Sequence, residues 1–390
     1  MIWVLAGGSA WAKIDTNPMN YDPQVREAYD RFYNLDYAGA VARFEKYHQE
    51  HPGDSQATAY LLNAIVFQEL YRQDLLDTTF YATDGFLSGK HATEENAQVR
   101  DRVFALEDEV EREAAARLKQ NPNDVNALFS RGWARSLRCT YVAMVERQFG
   151  TGFRLALKAK DDCRHALDID PNYIDAKLVV GVYQYVVGAL PWGFKLLFGF
   201  AGITGSKARG MALLQEDGRY GVVTSVEART AMALFLRREA RYQQAIEVVR
   251  SLEAQYPRNF LFRLEEANLR KDDGEGMKAV AAYEEIAGLM ETPGYFASAK
   301  PELLDFGLGD ALRGQRKYGE AASAYEHAGW AKDAGLELKV RALLAAGQCR
   351  DLNNQRVLAL RDYRATIAAG PNTSRADAAR KYLRSPYRGA

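Results

Sequence analysis

The chain has 390 residues, 47% hydrophobic and 26% charged, so it can bury a sizeable core and is not a disordered chain. Lysine plus arginine and aspartate plus glutamate each total 51, and this balance argues against a general nucleic-acid or polyanion binder. With 3 cysteines and 5 histidines the chain is not a disulfide scaffold or a cysteine-rich zinc module, and it offers little for a histidine-based metal site.

The N-terminal residues 1–12 carry no charge and end in Ala10-Trp11-Ala12, directly before Lys13. An apolar run followed by a small-x-small pattern is typical of the second half of a secretory signal and its cleavage site. We therefore expect a signal segment over 1–12 that is cut after Ala12, in a bacterial protein exported to the periplasm or cell envelope. A loose apolar N-terminus on a cytoplasmic protein is the alternative.

Long amphipathic helical patterns follow one another along the rest of the chain, without the sustained alternation that marks strands. Within them a frame recurs: a small residue, an alanine twelve positions later, a large residue four after that, and often a proline eight further on. The matches are Ala28, Ala40, Phe44 and Pro52; Ala233, Ala245, Val249 and Pro257; Ala267, Ala279 and Tyr283; Gly309, Ala321 and Tyr325; and Gly347, Ala359, Tyr363 and Pro371. Small residues let two helices approach closely, and several such pairs must stack to bury their apolar faces, so the frame predicts an all-α solenoid.

This frame resembles the tetratricopeptide repeat, a helix-turn-helix unit of 34 residues. The segments 36–40 and 317–321 are similar to the turn between its helices, and 166–172 is similar to its ending. The resemblance implies stacked antiparallel helix pairs.

The middle of the chain departs from the frame. The stretch 178–203 is almost wholly apolar, and it is followed by Gly205-Ser206-Lys207-Ala208-Arg209-Gly210 and then by two leucines at 213–214. This pattern resembles the family of tetratricopeptide repeat protein 39, which also includes a yeast mitochondrial outer-membrane protein implicated in clearing inclusion bodies. With its flanking repeats the resemblance covers the chain from about Tyr21 to Pro371.

The same apolar stretch has two interpretations. We expect two short helices buried in the solenoid, because an exposed apolar patch of this size is far larger than monomers usually carry. The alternative is a hairpin that dips into a membrane interface, since proline and several glycines interrupt the stretch. The residues expected to anchor it are Pro191, Trp192, Phe194 and Phe198.

These patterns divide the chain into five parts. They are a signal segment at 1–12, N-terminal helical repeats with an irregular insertion at 21–171, an apolar central helical segment at 172–222, C-terminal tetratricopeptide-like repeats at 223–371, and a basic tail at 372–390.

In the resembled repeat the first helix of each pair lines a concave groove, with inward positions one and four residues after its small residue and three and six before it. Carried through the last four frames, the fourth position holds three cations in successive repeats and then Asp351. We expect a solvated cationic row beside an apolar floor, suited to an extended or helical peptide with acidic and aliphatic side chains; ordinary solvated surface is the alternative. The expected partner-binding residues are Arg237, Lys271, Arg313, Asn268, Asp310, Gln348, Leu264 and Phe306.

The sequence carries no nucleophile elbow, no His-Glu-x-x-His motif and no paired-cysteine motif. We therefore predict a non-catalytic protein–protein interaction scaffold that binds a protein or peptide, with no cofactor, no metal and no nucleic acid. One alternative is a membrane-associated adaptor that uses 178–203 or the basic C-terminal end. The other is an enzyme or small-ligand binder with a cleft between the arrays.

Overall fold

The computed structural model describes residues 14–190 and 203–389. Across these residues the chain forms 18 α-helices, two short 3₁₀ helices and no strand, so the predicted all-α class is confirmed. The expected signal segment at 1–12 lies outside the described residues, as do Pro191, Trp192, Phe194 and Phe198.

The α-helices are numbered in chain order over the described residues. They are α1 Pro23–Tyr33, α2 Tyr37–Glu50, α3 Ser55–Arg72, α4 Gly85–Ser88, α5 Ala97–Gln120, α6 Val125–Met144, α7 Phe149–Ile169, α8 Ala176–Ala189, α9 Lys207–Tyr220, α10 Ser225–Arg238, α11 Tyr242–Gln255, α12 Phe260–Asp272, α13 Gly276–Met290, α14 Pro301–Gly314, α15 Tyr318–Trp330, α16 Leu336–Leu352, α17 Arg356–Ala369 and α18 Ser374–Arg384. The 3₁₀ helices are Pro18–Tyr21 and Thr78–Tyr81.

The helices stack as successive pairs: α1 with α2, α3 with α5, α6 with α7, α8 with α9, α10 with α11, α12 with α13, α14 with α15, and α16 with α17. Helix α18 packs on α17 and α16 and covers the end of the stack. The C-terminal stretch 372–390, expected to be a basic tail, therefore contains a packed helix.

The five frames share one backbone feature at the turn between their helices. Seven residues after each small residue the chain takes a positive φ, at Leu35 (64°), Ala240 (54°), Gly274 (79°), Arg316 (61°) and Asn354 (57°). Only one of the five is glycine, the residue that tolerates this conformation at least cost. The turn geometry is thus imposed by the packing of the pair rather than by local preference.

Glycine in the frame allows an aromatic ring of the same pair to approach. A Cβ added at Gly309 would lie 2.8 Å from the Tyr325 ring, and one added at Gly347 would lie 2.6 Å from the Tyr363 ring. Both tyrosine side chains are completely buried. The small and large positions of the frame are therefore one contact, in which the ring fills the space that the missing side chain leaves.

We expect Gly347→Ala to destabilise the fold by about 1–3 kcal/mol, because the added methyl overpacks against the Tyr363 ring. Gly288→Ala is the matched control: this glycine is also helical, nothing lies within 4 Å of its added Cβ, and the change should be neutral or stabilising by up to about 1 kcal/mol. Urea unfolding of both variants measures the difference, and equal stabilities would contradict the contact.

The solenoid curls until its first pair meets its fifth and sixth. The Tyr33 hydroxyl lies 3.0 Å from the Val223 carbonyl, and the Asn259 side chain donates to the Tyr33 carbonyl (2.7 Å). The rings of Tyr33 and Tyr256 lie 5.2 Å apart. One continuous apolar core accordingly runs from Val25 to Cys349.

The buried carboxylate of Asp175 joins three distant segments near the centre of the chain. It accepts from the Asn20 side chain (3.0 Å), from the backbone N–H of Val222 (2.8 Å) and Val223 (3.0 Å), and from the Thr224 hydroxyl (2.8 Å). The N-terminal segment, the start of α8 and the turn before α10 are therefore fixed together.

The described part of the apolar stretch 178–203 is packed in the stack. Tyr185 is buried and stacks on Phe235 with 3.7 Å between ring centroids. Helices α8 and α9 touch backbone to backbone, because a Cβ added at Gly210 would lie 2.6 Å from the Tyr185 nitrogen. None of the helices in the described residues is both long and apolar enough to cross a bilayer.

Candidate binding groove

The groove is bounded by the first helices of the C-terminal pairs, α10, α12, α14 and α16, and a segment of the chain itself lies in it. Helices α3 and α5 form a pair, but residues 73–96 connect them where the frame would have a short turn; we call these residues the insertion. It contains the second 3₁₀ helix and α4. The end of α3 meets the turn before α14, where the Tyr71 hydroxyl donates to the Ser298 carbonyl (3.1 Å) and Lys300 donates to the Arg72 carbonyl (3.2 Å), so the insertion begins beside the groove.

Polar contacts fix the insertion to every one of these helices or to the turns before them. The contacts are Lys300 Nζ with Asp74, Gly335 N with Asp74 (2.6 Å), Arg237 with Thr78 (2.6 Å), the Thr78 hydroxyl with Glu265, Arg238 with the Tyr81 carbonyl (2.6 Å), Arg341 with Asp77 (3.7 Å), and Ala92 N with Glu337 (2.9 Å); Lys90 N also contacts the Ser374 hydroxyl at the start of α18 (2.9 Å). The middle of the groove is therefore filled from within the molecule.

Arg237 shows most clearly that the insertion covers this part of the groove. Its side chain is 1% exposed, and it donates to Asp272 (2.7 Å), to the Thr78 hydroxyl (2.6 Å) and to Glu265 (3.2 Å). The expectation of a solvated cation at this position is wrong, because the insertion covers it and neighbouring carboxylates neutralise it.

Three other expected site residues share this covered part of the groove. Leu264 and Phe306 are buried, and the Arg341 guanidinium lies over the Phe306 ring at 4.4 Å. Asn268 is also buried, and its side-chain oxygen accepts from the Tyr283 hydroxyl (2.6 Å). The predicted apolar floor exists, but it is interior.

The remaining four expected residues lie in the part of the groove that stays open. The Lys271 ammonium is 3.3 Å from Asp310, with side-chain exposures of 13% and 28%. Arg313 donates to the side chain of Gln348 (3.0 Å). The structure thus brings Lys271, Asp310, Arg313 and Gln348 together in two adjacent pairs, which we call the open half of the groove.

A surface pocket of about 500 Å³ adjoins this open half. It lies between the α12–α13 turn and the last turn of α14, and it includes Lys271 and Asp310. The other lining residues are Gly274, Glu275, Gly276, Met277, Lys278, Ala311, Gly314 and Gln315. The sequence frame did not indicate this pocket, because its walls come from two successive repeats and the turn between helices.

Asp351 is the fourth member of the row, and it accepts from three other residues at this end of the groove. Its side chain is 1% exposed, and it accepts from Arg356 (2.9 Å), from the Tyr363 hydroxyl (2.8 Å) and from the backbone N–H of Tyr387 (2.8 Å). The frame placed this residue at an inward position but gave no sign that the segment 385–389 covers it.

Two carboxyl groups along the axis have pKa values that are raised toward neutral pH. Burial raises the pKa of Asp74 to about 6, against the lowering effect of Lys300. Burial likewise raises the pKa of Glu227 to about 7, although Tyr33 donates to that carboxylate. Among the described residues no group of three or more His, Cys, Asp and Glu side chains is arranged to hold a metal ion.

The burial of the Arg237 guanidinium predicts that replacing this residue destabilises the fold. We expect Arg237→Gln to destabilise the fold by about 3–5 kcal/mol, because Glu265 and Asp272 would lose their buried counter-charge. The exposed Arg258→Gln is the control and should change stability by less than about 0.5 kcal/mol. Thermal and urea unfolding measure both; an unchanged Arg237→Gln would contradict the covered groove.

The raised pKa of Glu227 predicts a pH dependence. A folded-state pKa near 7 against an ordinary value of 4.5 means that the folded chain holds this proton more tightly. Protonated Glu227 therefore raises the free energy of unfolding below pH 4.5, and this contribution is lost as the pH rises through about 7. We expect Glu227→Gln to gain about 2–3 kcal/mol relative to the parent chain between pH 4.5 and pH 8.

Denaturant unfolding at the two pH values checks this, with the exposed Glu247→Gln as the control that should follow the parent chain. A pH profile of Glu227→Gln parallel to that of the parent would show that the carboxyl group is not buried in the folded state.

The architecture is an all-α solenoid of stacked antiparallel helix pairs, like the fold of tetratricopeptide-repeat proteins. No protein-family model matches the sequence, and no curated protein matches it. Among solved structures, the chain is similar to the Cut9–Hcn1 hetero-tetramer of APC/C, with a TM-score of 0.54 and 12% identity over 94% of this chain and 57% of that one. At this identity the likeness shows the fold alone, and the chain spans little more than half of that structure's length.

Two further structures are similar over most of this chain at lower TM-scores. Yeast Tom70 has a TM-score of 0.40 and 10% identity over 93% of this chain and 88% of that one. A tetratricopeptide repeat protein from Parabacteroides merdae has a TM-score of 0.37 and 15% identity over 83% of this chain and 99% of that one.

Proposed function

We propose that the chain is a non-catalytic protein-interaction scaffold whose partner binds as an extended segment in the open half of the groove. The observation that carries this proposal is the pocket of about 500 Å³ to which Lys271 and Asp310 both contribute. Both charges are within reach of solvent, unlike Arg237. The covered half is excluded as a first contact, because a partner would have to displace the insertion to reach it.

The chemistry of the open half suits a polar segment with one apolar side chain. Lys271 and Arg313 donate, Asp310 accepts, and the exposed Met277 lies at the rim of the pocket. A flexible thioether can follow the shape of different partner side chains. When the Lys271–Asp310 pair opens, Lys271 keeps Asp272 (3.3 Å) and Asp310 keeps the Tyr325 hydroxyl, so a partner can exchange the pair for its own contacts.

The cysteines support a role without nucleophilic chemistry. Cys163 and Cys349 are completely buried, and burial raises the pKa of Cys349 to about 11. Both thiols are therefore protonated at neutral pH, whereas a nucleophilic cysteine must be a thiolate.

We also propose kinship with the family of tetratricopeptide repeat protein 39. Support comes from the glycines of its central pattern: a Cβ added at Gly205 would lie 2.6 Å from the Gln184 carbonyl, and Gly210 is equally close to α8. Such glycines are needed wherever this helix pair packs backbone to backbone. Structural comparison with a member of that family over 176–220 tests the kinship.

The binding site can be tested by crosslinking from a single position. A photo-crosslinking residue is placed at Met277, beside the pocket, or at Val357, on α17; both side chains are 81% exposed. In an extract of the native organism we expect position 277 to crosslink a partner that position 357 does not. The double variant Lys271→Gln/Asp310→Asn should lower that yield several-fold.

The double variant should keep its melting temperature. Both side chains are partly exposed, and the amide oxygen introduced by Asp310→Asn can still accept from the Tyr325 hydroxyl. The same products from both positions, or a yield at 277 that the double variant does not change, would place the partner elsewhere.

A further inference from the structure

The segment Ser385–Gly389 lies against the open half of the groove, and we call it the return segment. Pro386 restricts the residue before it to extended backbone, and Ser385 has φ −138° and ψ 130°. The chain therefore leaves α18 extended and turns back toward α14 and α16. Its Tyr387 side chain contacts Arg313, one of the expected site residues.

Tyr387 makes the contacts of the return segment. Its backbone N–H donates to Asp351 (2.8 Å), and Arg313 donates to its hydroxyl (3.2 Å). The Arg313 guanidinium lies 5.7 Å from the centre of the Tyr387 ring, and the Tyr382 ring meets it edge-on at 5.2 Å. Backbone, ring and hydroxyl of one tyrosine are each recognised by a separate group.

The surroundings of Tyr387 do not depend on the return segment for their own pairing. Asp351 keeps Arg356 and the Tyr363 hydroxyl as partners when Tyr387 is absent. Arg356 also donates to the carbonyls of Tyr382 (2.7 Å) and Leu383 (3.0 Å), so α18 stays attached without the residues that follow it. The acceptor is built into the fold, and its occupant is replaceable.

The return segment is held weakly. Ser385, Pro386, Arg388 and Gly389 are exposed, and only Tyr387 is partly buried. Two hydrogen bonds, to Asp351 and from Arg313, and the ring contacts hold it, and all of them are made by Tyr387, as expected for a short peptide ligand with one anchor rather than for a core element.

We infer that Arg313, Asp351 and Tyr382 form an anchoring site for a tyrosine in an extended partner peptide, and that the return segment occupies this site in the free protein. The inference rests on the proposed function, since the site continues the open half through the Arg313–Gln348 pair. A partner's tyrosine takes the place of Tyr387, with its backbone N–H on Asp351 and its hydroxyl on Arg313. A partner peptide must therefore displace the return segment in order to bind.

The occupied site has a quantitative consequence. A segment tethered by a few residues has an effective concentration in the millimolar range, so it competes with any peptide of weaker or similar affinity. A chain that ends at Arg384 should therefore bind a tyrosine peptide about tenfold more tightly than the full chain, because all of its sites are vacant.

The probe is a fluorescent synthetic peptide with the sequence of residues 383–390, titrated by anisotropy against the full chain and the chain ending at Arg384. In the shortened chain, Arg313→Gln should weaken binding about tenfold, and the exposed Arg364→Gln on α17 should not. Changing the peptide's tyrosine to phenylalanine should weaken binding several-fold, and changing it to alanine should abolish it. Circular dichroism should give both chains the same helical content.

Equal binding by the two chains, or equal binding of the tyrosine and alanine peptides, overturns the anchoring site. So does a full chain that is dimeric while the shortened one is monomeric, because the return segment would then serve a second copy. The crosslink from position 277 is measured on the full chain and does not use the peptide. If the crosslink persists while the peptide fails, the anchoring site is wrong and the proposed function stands.

Discussion

Charges that face the axis of this solenoid must find partners inside the molecule, and the rest of the structure follows from this constraint. The first helix pair contacts the fifth and sixth pairs, so inward side chains such as that of Arg237 are removed from solvent. An unpaired buried charge would cost several kcal/mol. The insertion places the carboxylates and hydroxyls of Asp74, Asp77 and Thr78 opposite those side chains.

This pairing also explains why so long a connection is retained between α3 and α5. A short turn would leave Arg237, Lys300 and Arg341 without these partners along the axis. Because its anchors extend from α10 to α16, the insertion holds four successive pairs at one curvature. A solenoid that flexes repeat by repeat would have to break several buried polar contacts together, so we expect this one to move as a unit.

The sequence was sufficient for everything that depends on contacts within a helix pair. The frame marked the close approach of Gly309 to Tyr325 and of Gly347 to Tyr363, since both partners lie in neighbouring helices. It could not show that Arg237 is covered while Lys271 lies in the open half, because both residues occupy the same frame position. Their difference comes from the insertion, which meets Arg237 across 159 residues of sequence, and no local pattern carries information at that range.

The same limit applies to the open half of the groove. Lys271, Asp310, Arg313 and Gln348 were expected at the groove from the frame alone, and they do lie together at its open end. The pairing of Asp351 with Tyr387 was not foreseeable, because the stretch after α17 gave only a basic composition. Its helix α18 and the return of the chain toward α16 depend on tertiary contacts made by Arg356.

Energetic magnitudes decide which half of the groove a partner can use. Displacing the insertion would leave the largely buried Lys300 and Arg341 without Asp74 and Asp77, at a cost of about 3–5 kcal/mol, and other anchors of the insertion would have to break with them. Opening Lys271 from Asp310 costs less, because Lys271 keeps Asp272 (3.3 Å) and Asp310 keeps the Tyr325 hydroxyl. Releasing Tyr387 leaves Asp351 still paired with Arg356 and Tyr363. A peptide of micromolar affinity binds with a free energy of about 8 kcal/mol. Such a peptide can open the Lys271–Asp310 pair and release Tyr387 and still bind. Displacing the insertion would instead remove most of its affinity. The covered half therefore maintains the shape of the solenoid, and the recognition that we propose uses the end where existing contacts are released at lower cost.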